Sequence, residues 1–314
     1  MYNSKIDKIN SSLDDETLFY EGIDQKNKKI FLLGHSHIIS QNTTFIQDYL
    51  SSQGKNYTVY NLAIGSSEPK DRVRTIDLLI SAKPDIVVYG ISERDFRSTI
   101  PLNVDDTKLP RLLPDVRLFF EEQIWKLGLQ KLNFLENPKF TTLVSIYDFS
   151  LNFWKNDNVA TTSNGIEEFS AYPNMPFYKI TPGDTPIFTD QELFEYVLKT
   201  RVGNFREINL PHANVDVFAL KEIISKLQQN NIKTIVFTTP HHKSYLSITP
   251  PSVSANFNII VKDLEKESNI RIYPFLKNYT ELNIWNDPTH VAVNDQSLIY
   301  SEDIAKIIIS ELES

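Results

Sequence analysis

Short apolar runs ending near glycine and alternating with amphipathic segments constrain this 314-residue chain more than any other feature. Lys29–Gly34 is one such run, and it reads as a buried strand. Thr43–Leu50 follows as a helix with Phe45, Ile46, Tyr49 and Leu50 on one face. Tyr57–Ile64 is the second strand, ended by Gly65-Ser66-Ser67. Glu68-Pro69 opens a helix running to Ala82, because proline is tolerated in a first helical turn, and Val73, Ile76, Leu79 and Ile80 form its stripe. Pro84-Asp85 starts the third strand, Ile86–Tyr89, which stops at Gly90. Strands separated by helices pair in parallel through right-handed crossovers.

The rhythm resumes with helix Val215–Asn230, strand Lys233–Thr239 before Pro240, helix Ser254–Glu267, strand Ile270–Tyr273 and helix Ala292–Glu311. Five strands in this order predict an α/β fold, a flavodoxin-like doubly wound sheet of about five parallel strands. The predicted organisation is an N-terminal extension (1–27), a core built from 28–98 and 212–314, and an inserted lid or cap (99–211) after the third strand. The middle of the chain breaks the rhythm, and structureless loops beyond about 15 residues are uncommon inside compact domains. Arg117–Lys131 and Asp190–Thr200 read as helices within that insertion. Asn152–Pro186 is rich in aromatic and turn residues, and the insertion's Trp125, Phe153, Trp154, Tyr172 and Tyr178 read as a satellite core.

Net charge of −8 and a pI near 5.3 argue against affinity for phosphate backbones, so no nucleic-acid partner is expected. With no cysteine there are no disulfides, thiolate nucleophiles or zinc–thiolate sites. No apolar run approaches the roughly 20 residues that span a bilayer, and Met1–Asp7 lacks the apolar core of a signal peptide. The chain as written therefore reads as cytoplasmic, with its oligomeric state open.

The predicted strand ends carry the chemistry. Gly34-His35-Ser36-His37 follows the first strand, and Asn286-Asp287-Pro288-Thr289-His290 lies near the C-terminus. A serine hydroxyl becomes a nucleophile when an imidazole takes its proton, and a carboxylate fixes the imidazole's tautomer. Ser36, His290 and Asp287 supply those three groups. Asn61-x-x-x-Gly65 and Gly90-Ile91-Ser92-Glu93 end the second and third strands. The backbone N–H groups of Ser36 and Gly65 are placed to meet a developing oxyanion. His241-His242 follows the fourth strand on the same sheet edge, and the pair reads as solvated loop residues or as contacts to substrate. Arg94, Asp95 and Arg97 are read as an ion-pair group or as contacts to an anionic substrate. His35, His37 and His290 are not read as a metal cluster, because adjacent side chains diverge.

Taken in order, these four blocks resemble the SGNH/GDSL hydrolase superfamily over residues 28–98 and 213–312. The resemblance implies Ser36 as nucleophile, Gly65 as an oxyanion donor and Asp287 with His290 completing a triad, with no cofactor. It further implies a small-molecule, glycan or lipid ester as substrate, with a small acyl group such as acetyl on carbohydrate. Hydrolysis and transfer to an alcohol use the same residues. Two positions depart from the pattern: His35 stands where aspartate is usual, and Ser92 where an asparagine usually donates to the oxyanion. Ser92 is expected to donate in its place, or Arg94 or another group to take over the role, with His35, His37, Arg94 and His241 lining the substrate. The altered third block also leaves open a non-catalytic binding or assembly protein.

Overall fold

The computed structural model describes residues 16–101, 174–177, 185–201 and 205–314, with backbone alone at 98–101. The predicted helix Arg117–Lys131, nearly all of the Asn152–Pro186 stretch and the five insertion aromatics named above lie outside the described residues.

Five strands form one parallel sheet: β1 (Lys29–Leu33), β2 (Thr58–Asn61), β3 (Ile86–Ile91), then Lys233–Thr238 and Ile272–Tyr273. Their spatial order is second, first, third, fourth, fifth, the doubly wound arrangement expected from the sequence. Every residue of β1 and β3 is buried, as a strand covered on both faces requires. On one face Ile30, Leu32, Val88, Ile235 and Phe237 meet Ile46 and Leu50 of α1 (Thr43–Ser52) and residues of the C-terminal helix, including Tyr300 and Ile304. Phe31, Leu33, Val87, Tyr89 and Val236 alternate with them along the strands, in keeping with the two-residue period, and are buried too.

Two glycines permit the close approach of β1 and β3 at their carboxyl ends. Gly34 has φ +148°, and a Cβ there would lie 2.8 Å from the Gly90 carbonyl oxygen. A Cβ on Gly90 would meet Ile38 Cγ2 at 2.5 Å and Phe237 Cζ at 2.9 Å.

Several elements differ from the sequence expectation. The helix predicted from Pro69 to Ala82 is two short ones, α2 (Pro69–Arg72) and α3 (Ile76–Ser81). Thr75 Oγ1 donates to the Arg72 carbonyl at 3.3 Å, a local bond that competes with helix continuation. Two unanticipated strands, β4 (Arg97–Pro101) and β5 (Arg206–Ile208), pair antiparallel. Between them lies the expected helix, α4 (Asp190–Thr200). Helix α5 (Val215–Gln229) precedes the fourth sheet strand, β6, and α6 (Lys243–Ile248) and α7 (Pro251–Ser268) follow it. Strand β7 completes the sheet, and a small antiparallel pair, β8 (Trp285–Asp287) and β9 (His290–Val291), precedes α8 (Leu298–Glu313). The last helix begins six residues later than Ala292 because Ala292 N–H donates to the Ile284 carbonyl and Asn294 caps a 3₁₀ turn. No described helix is long and apolar enough to cross a membrane.

Candidate active site

The carboxyl edge of the sheet collects the residues singled out above. Ser36 opens a 3₁₀ turn (Ser36–Ile38) two residues beyond the Gly34 kink. Asn61, at the end of β2, holds that turn in place: its Nδ2 donates to the carbonyls of Ile38 (2.8 Å) and Gln41 (3.2 Å). The buried Arg72 of α2 braces the loops after β1 and β2, donating to the carbonyls of Leu62 and Gly34.

The Ser36 hydroxyl lies 2.8 Å from His290 Nε2, and His290 Nδ1 lies 2.7 Å from Asp287 Oδ2. The carboxylate can only accept here, so Nδ1 carries the ring proton and Nε2 presents its lone pair to the serine. The other carboxylate oxygen, Oδ1, accepts from Thr289 N–H (2.7 Å), Thr289 Oγ1 (3.0 Å) and His290 N–H (3.0 Å). Burial alone would raise the Asp287 pKa, but these donors and His290 outweigh it and hold the carboxyl far below the ordinary range. The side chains of His290 and Asp287 keep 21% and 24% of their surface exposed, so a ligand can reach the pair.

Gly65 sits in an exposed turn from Ile64 to Ser67, with Ser66 at φ +60°. Neither the Ser36 nor the Gly65 N–H donates to an acceptor among the described residues. Among the described residues, both donors are thus unspent.

Ser92 differs from the expectation. It is fully buried, and its hydroxyl accepts from Arg94 N–H (3.1 Å) and faces His35 Nε2 (3.1 Å) and Asp95 Oδ2 (3.2 Å). His35 Nδ1 accepts from His37 N–H, so Nε2 bears the ring proton. The serine oxygen therefore accepts twice and gives its proton to Asp95. It has nothing left for an oxyanion: Ser92 caps the 3₁₀ turn Glu93–Phe96, and that local role displaces the expected one.

Three histidines predicted to line the substrate are also interior. His35, His37 and His241 are 6%, 2% and 0% exposed, which places them behind the site rather than on its surface. The His37 ring centroid is 4.7 Å from that of His290 and 5.0 Å from that of His241. Arg94 Nη1 lies 3.4 Å from His37 Nε2. Arginine only donates, so His37 Nε2 accepts and Nδ1–H points to Thr239 Oγ1 at 3.1 Å. Burial, then the neighbouring histidines and Arg94, drive the His37 pKa well below the ordinary imidazole value.

His241 Nδ1 faces Glu93 Oε2 at 3.4 Å, too poorly aligned for a full hydrogen bond. Burial lowers its pKa to about 4 against the opposing pull of Glu93. Burial opposes ionisation of Glu93 as well, but His241, Arg97 and Tyr245 bring that carboxyl down to about 2. Arg97 Nη2 and Tyr245 Oη both donate to Glu93 Oε1, at 3.0 and 2.7 Å. Arg97 thus belongs to a structural ion pair, whereas Arg94 has no acid partner among the described residues. No group of described residues is arranged to hold a metal ion.

Sequence reading placed Asn61 and Thr289 in its blocks without giving either a role, and it missed Tyr245. Thr289 lies inside the Asp-x-x-His block and could have been suspected as a hydroxyl beside the carboxylate. Tyr245 carries no local signal.

No family model matches the chain, and no curated protein matches it. Solved structures similar to it include the psychrotrophic esterase EstA from Pseudoalteromonas sp., in a form inhibited by monoethylphosphonate. EstA is 13% identical, with 92% of this chain and 100% of that one covered at a TM-score of 0.43. TesA is 11% identical over 91% and 98% of the two chains, with a TM-score of 0.43. The acetyl xylan esterase AlAXEase is 14% identical over 90% and 98%, with a TM-score of 0.40.

Proposed function

We propose that the chain is a serine hydrolase of SGNH type that cleaves or transfers an O-acyl group through Ser36, His290 and Asp287. The observation that carries this reading is the continuous line Ser36 Oγ–His290 Nε2 (2.8 Å) and His290 Nδ1–Asp287 Oδ2 (2.7 Å).

In this reading Ser36 Oγ attacks the acyl carbonyl carbon while its proton passes to His290 Nε2. The carbonyl π electrons move onto oxygen, where the N–H groups of Ser36 and Gly65 receive the charge. His290 then gives that proton to the departing alkoxide, leaving the acyl group on Ser36. Water or an acceptor alcohol enters by the same steps in reverse. Asp287 keeps Nδ1 protonated and balances the imidazolium that forms. No cofactor takes part. A small acyl group, such as acetyl on carbohydrate, is the substrate class we propose.

Labelling by a fluorophosphonate probe, with release of p-nitrophenol from p-nitrophenyl acetate, is expected of the native chain, and both are expected to vanish in Ser36→Ala. The commitment of Ser92 favours one second reading, a protein that keeps the fold for binding or assembly. Absence of both labelling and hydrolysis in the native chain would establish that alternative over the esterase.

A further inference from the structure

We infer that Arg94 forms an anion subsite beside the Ser36–His290 pair, taking a carboxylate or phosphate carried by the substrate. The role of that anion as part of an ester rests on the proposed function; the subsite itself does not.

Arg94 is anchored from both ends. Its N–H donates to Ser92 Oγ at 3.1 Å, fixing the backbone just past β3, and Nη1 donates to His37 Nε2 at 3.4 Å. The acids flanking it in sequence are already taken: Glu93 by Arg97 and Tyr245, Asp95 by Ser92 and His35. Among the described residues no carboxylate comes within ion-pair distance of the Arg94 guanidinium.

A guanidinium presents five N–H donors in a planar fork that matches a carboxylate or phosphate, and His37 occupies one of them. Desolvation and the like charge of Arg97 disfavour the cation, with Arg201 at the end of α4 adding to the repulsion. Arg201 Nε is itself buried without a hydrogen-bond partner. A partly desolvated cation held by a neutral imidazole is costly until a counter-ion arrives, and an arriving anion recovers that cost. His37 also positions the charge, since its ring packs 4.7 Å from that of His290. The fork therefore sits one imidazole away from the group that takes the serine proton, and an anion there would belong to a molecule that also reaches Ser36.

Calorimetric titration of the full chain with benzoate, phenyl phosphate and neutral benzamide at neutral pH tests the subsite without turnover. At least one anion is expected to bind roughly tenfold to a hundredfold more tightly than benzamide, the range of a charge-assisted hydrogen-bonded pair. The preference should disappear in Arg94→Gln, and in Arg94→Met should the glutamine variant not fold. Tighter binding of benzoate assigns the carboxylate, and tighter binding of phenyl phosphate assigns the phosphate. Equal or absent binding of the anions, or a preference that survives both substitutions, overturns the subsite. Turnover of 4-acetoxybenzoate against phenyl acetate separates the two readings. Anion binding without turnover of either ester keeps the subsite and removes the esterase, whereas turnover with no anion preference removes the subsite alone.

Discussion

Thr289 holds Asp287 by two bonds to one carboxylate oxygen, N–H at 2.7 Å and hydroxyl at 3.0 Å, leaving the other oxygen to His290. The turn that brings the carboxylate and imidazole together therefore also decides which oxygen each neighbour uses. Thr289→Val keeps the N–H and the shape but removes the hydroxyl. One charge-assisted bond of this kind contributes about 1.5–3 kcal/mol. A roughly tenfold fall in kcat/KM on p-nitrophenyl acetate is expected, with recovery in Thr289→Ser. Unchanged kinetics in the valine variant would show that the remaining donors suffice to orient Asp287.

Asp287→Asn should be far more damaging. An amide cannot hold the Nδ1-protonated tautomer as a carboxylate does, and a loss of about 10⁴-fold in kcat is expected by analogy with serine-protease triads. Steady-state hydrolysis, with fluorophosphonate labelling as a second readout, measures it. A fall of less than tenfold would remove Asp287 from the proposed triad.

Ser92 separates a structural from a catalytic contribution. Deleting its hydroxyl leaves Arg94 N–H, His35 Nε2 and Asp95 without their shared partner in a fully buried setting. Ser92→Ala should lower unfolding stability by about 1–3 kcal/mol in urea titrations. Its kcat should fall by much less than the 10²–10³ expected for a lost oxyanion donor. A large kcat defect in a stable variant would restore the oxyanion role.

Gly90→Ala tests the close contact of β3 with the Ser36 turn. The added methyl would press on Ile38 Cγ2 and Phe237 Cζ, and overpacking of this kind costs about 1–3 kcal/mol. A lower urea midpoint with an unchanged slope is the expected signature, and an unshifted midpoint would show that the contact relaxes freely.

Acidification should weaken the fold through His241. Its folded-state pKa, about 4, lies below the ordinary 6.5, so between those values the unfolded chain binds more protons. Stability attributable to this residue is then fully present above pH 6.5 and is lost as pH falls toward 4, up to roughly 3 kcal/mol in all. Asp216, raised by burial to about 7, acts in the opposite direction across that whole window. The comparison of native chain with His241→Asn at pH 7.5 and 5 isolates the histidine. The variant should lose less stability on acidification, and an identical loss would contradict the assignment.

The sheet was legible in the sequence because its strands are locally encoded. Runs such as Ile30–Leu33 and Ile86–Tyr89 are apolar throughout, as strands buried on both faces of a parallel sheet are, and Gly34 marks where the first stops, whereas β3 runs one residue past Gly90 to Ile91. The pairing of Asp287 with His290 was legible for the same reason, since three residues of one turn fix it. Tertiary structure alone settled how each polar group spends its hydrogen bonds. Ser92 had the position of an oxyanion donor, yet His35, Arg94 and Asp95 exhaust its hydroxyl. His241 followed a strand as a loop residue would, yet Glu93, Tyr245 and His37 enclose it. Local pattern records which residues prefer burial and which turns they form. A polar side chain's free donors and its charge depend on neighbours brought in by the fold, here across the 254 positions from Ser36 to His290.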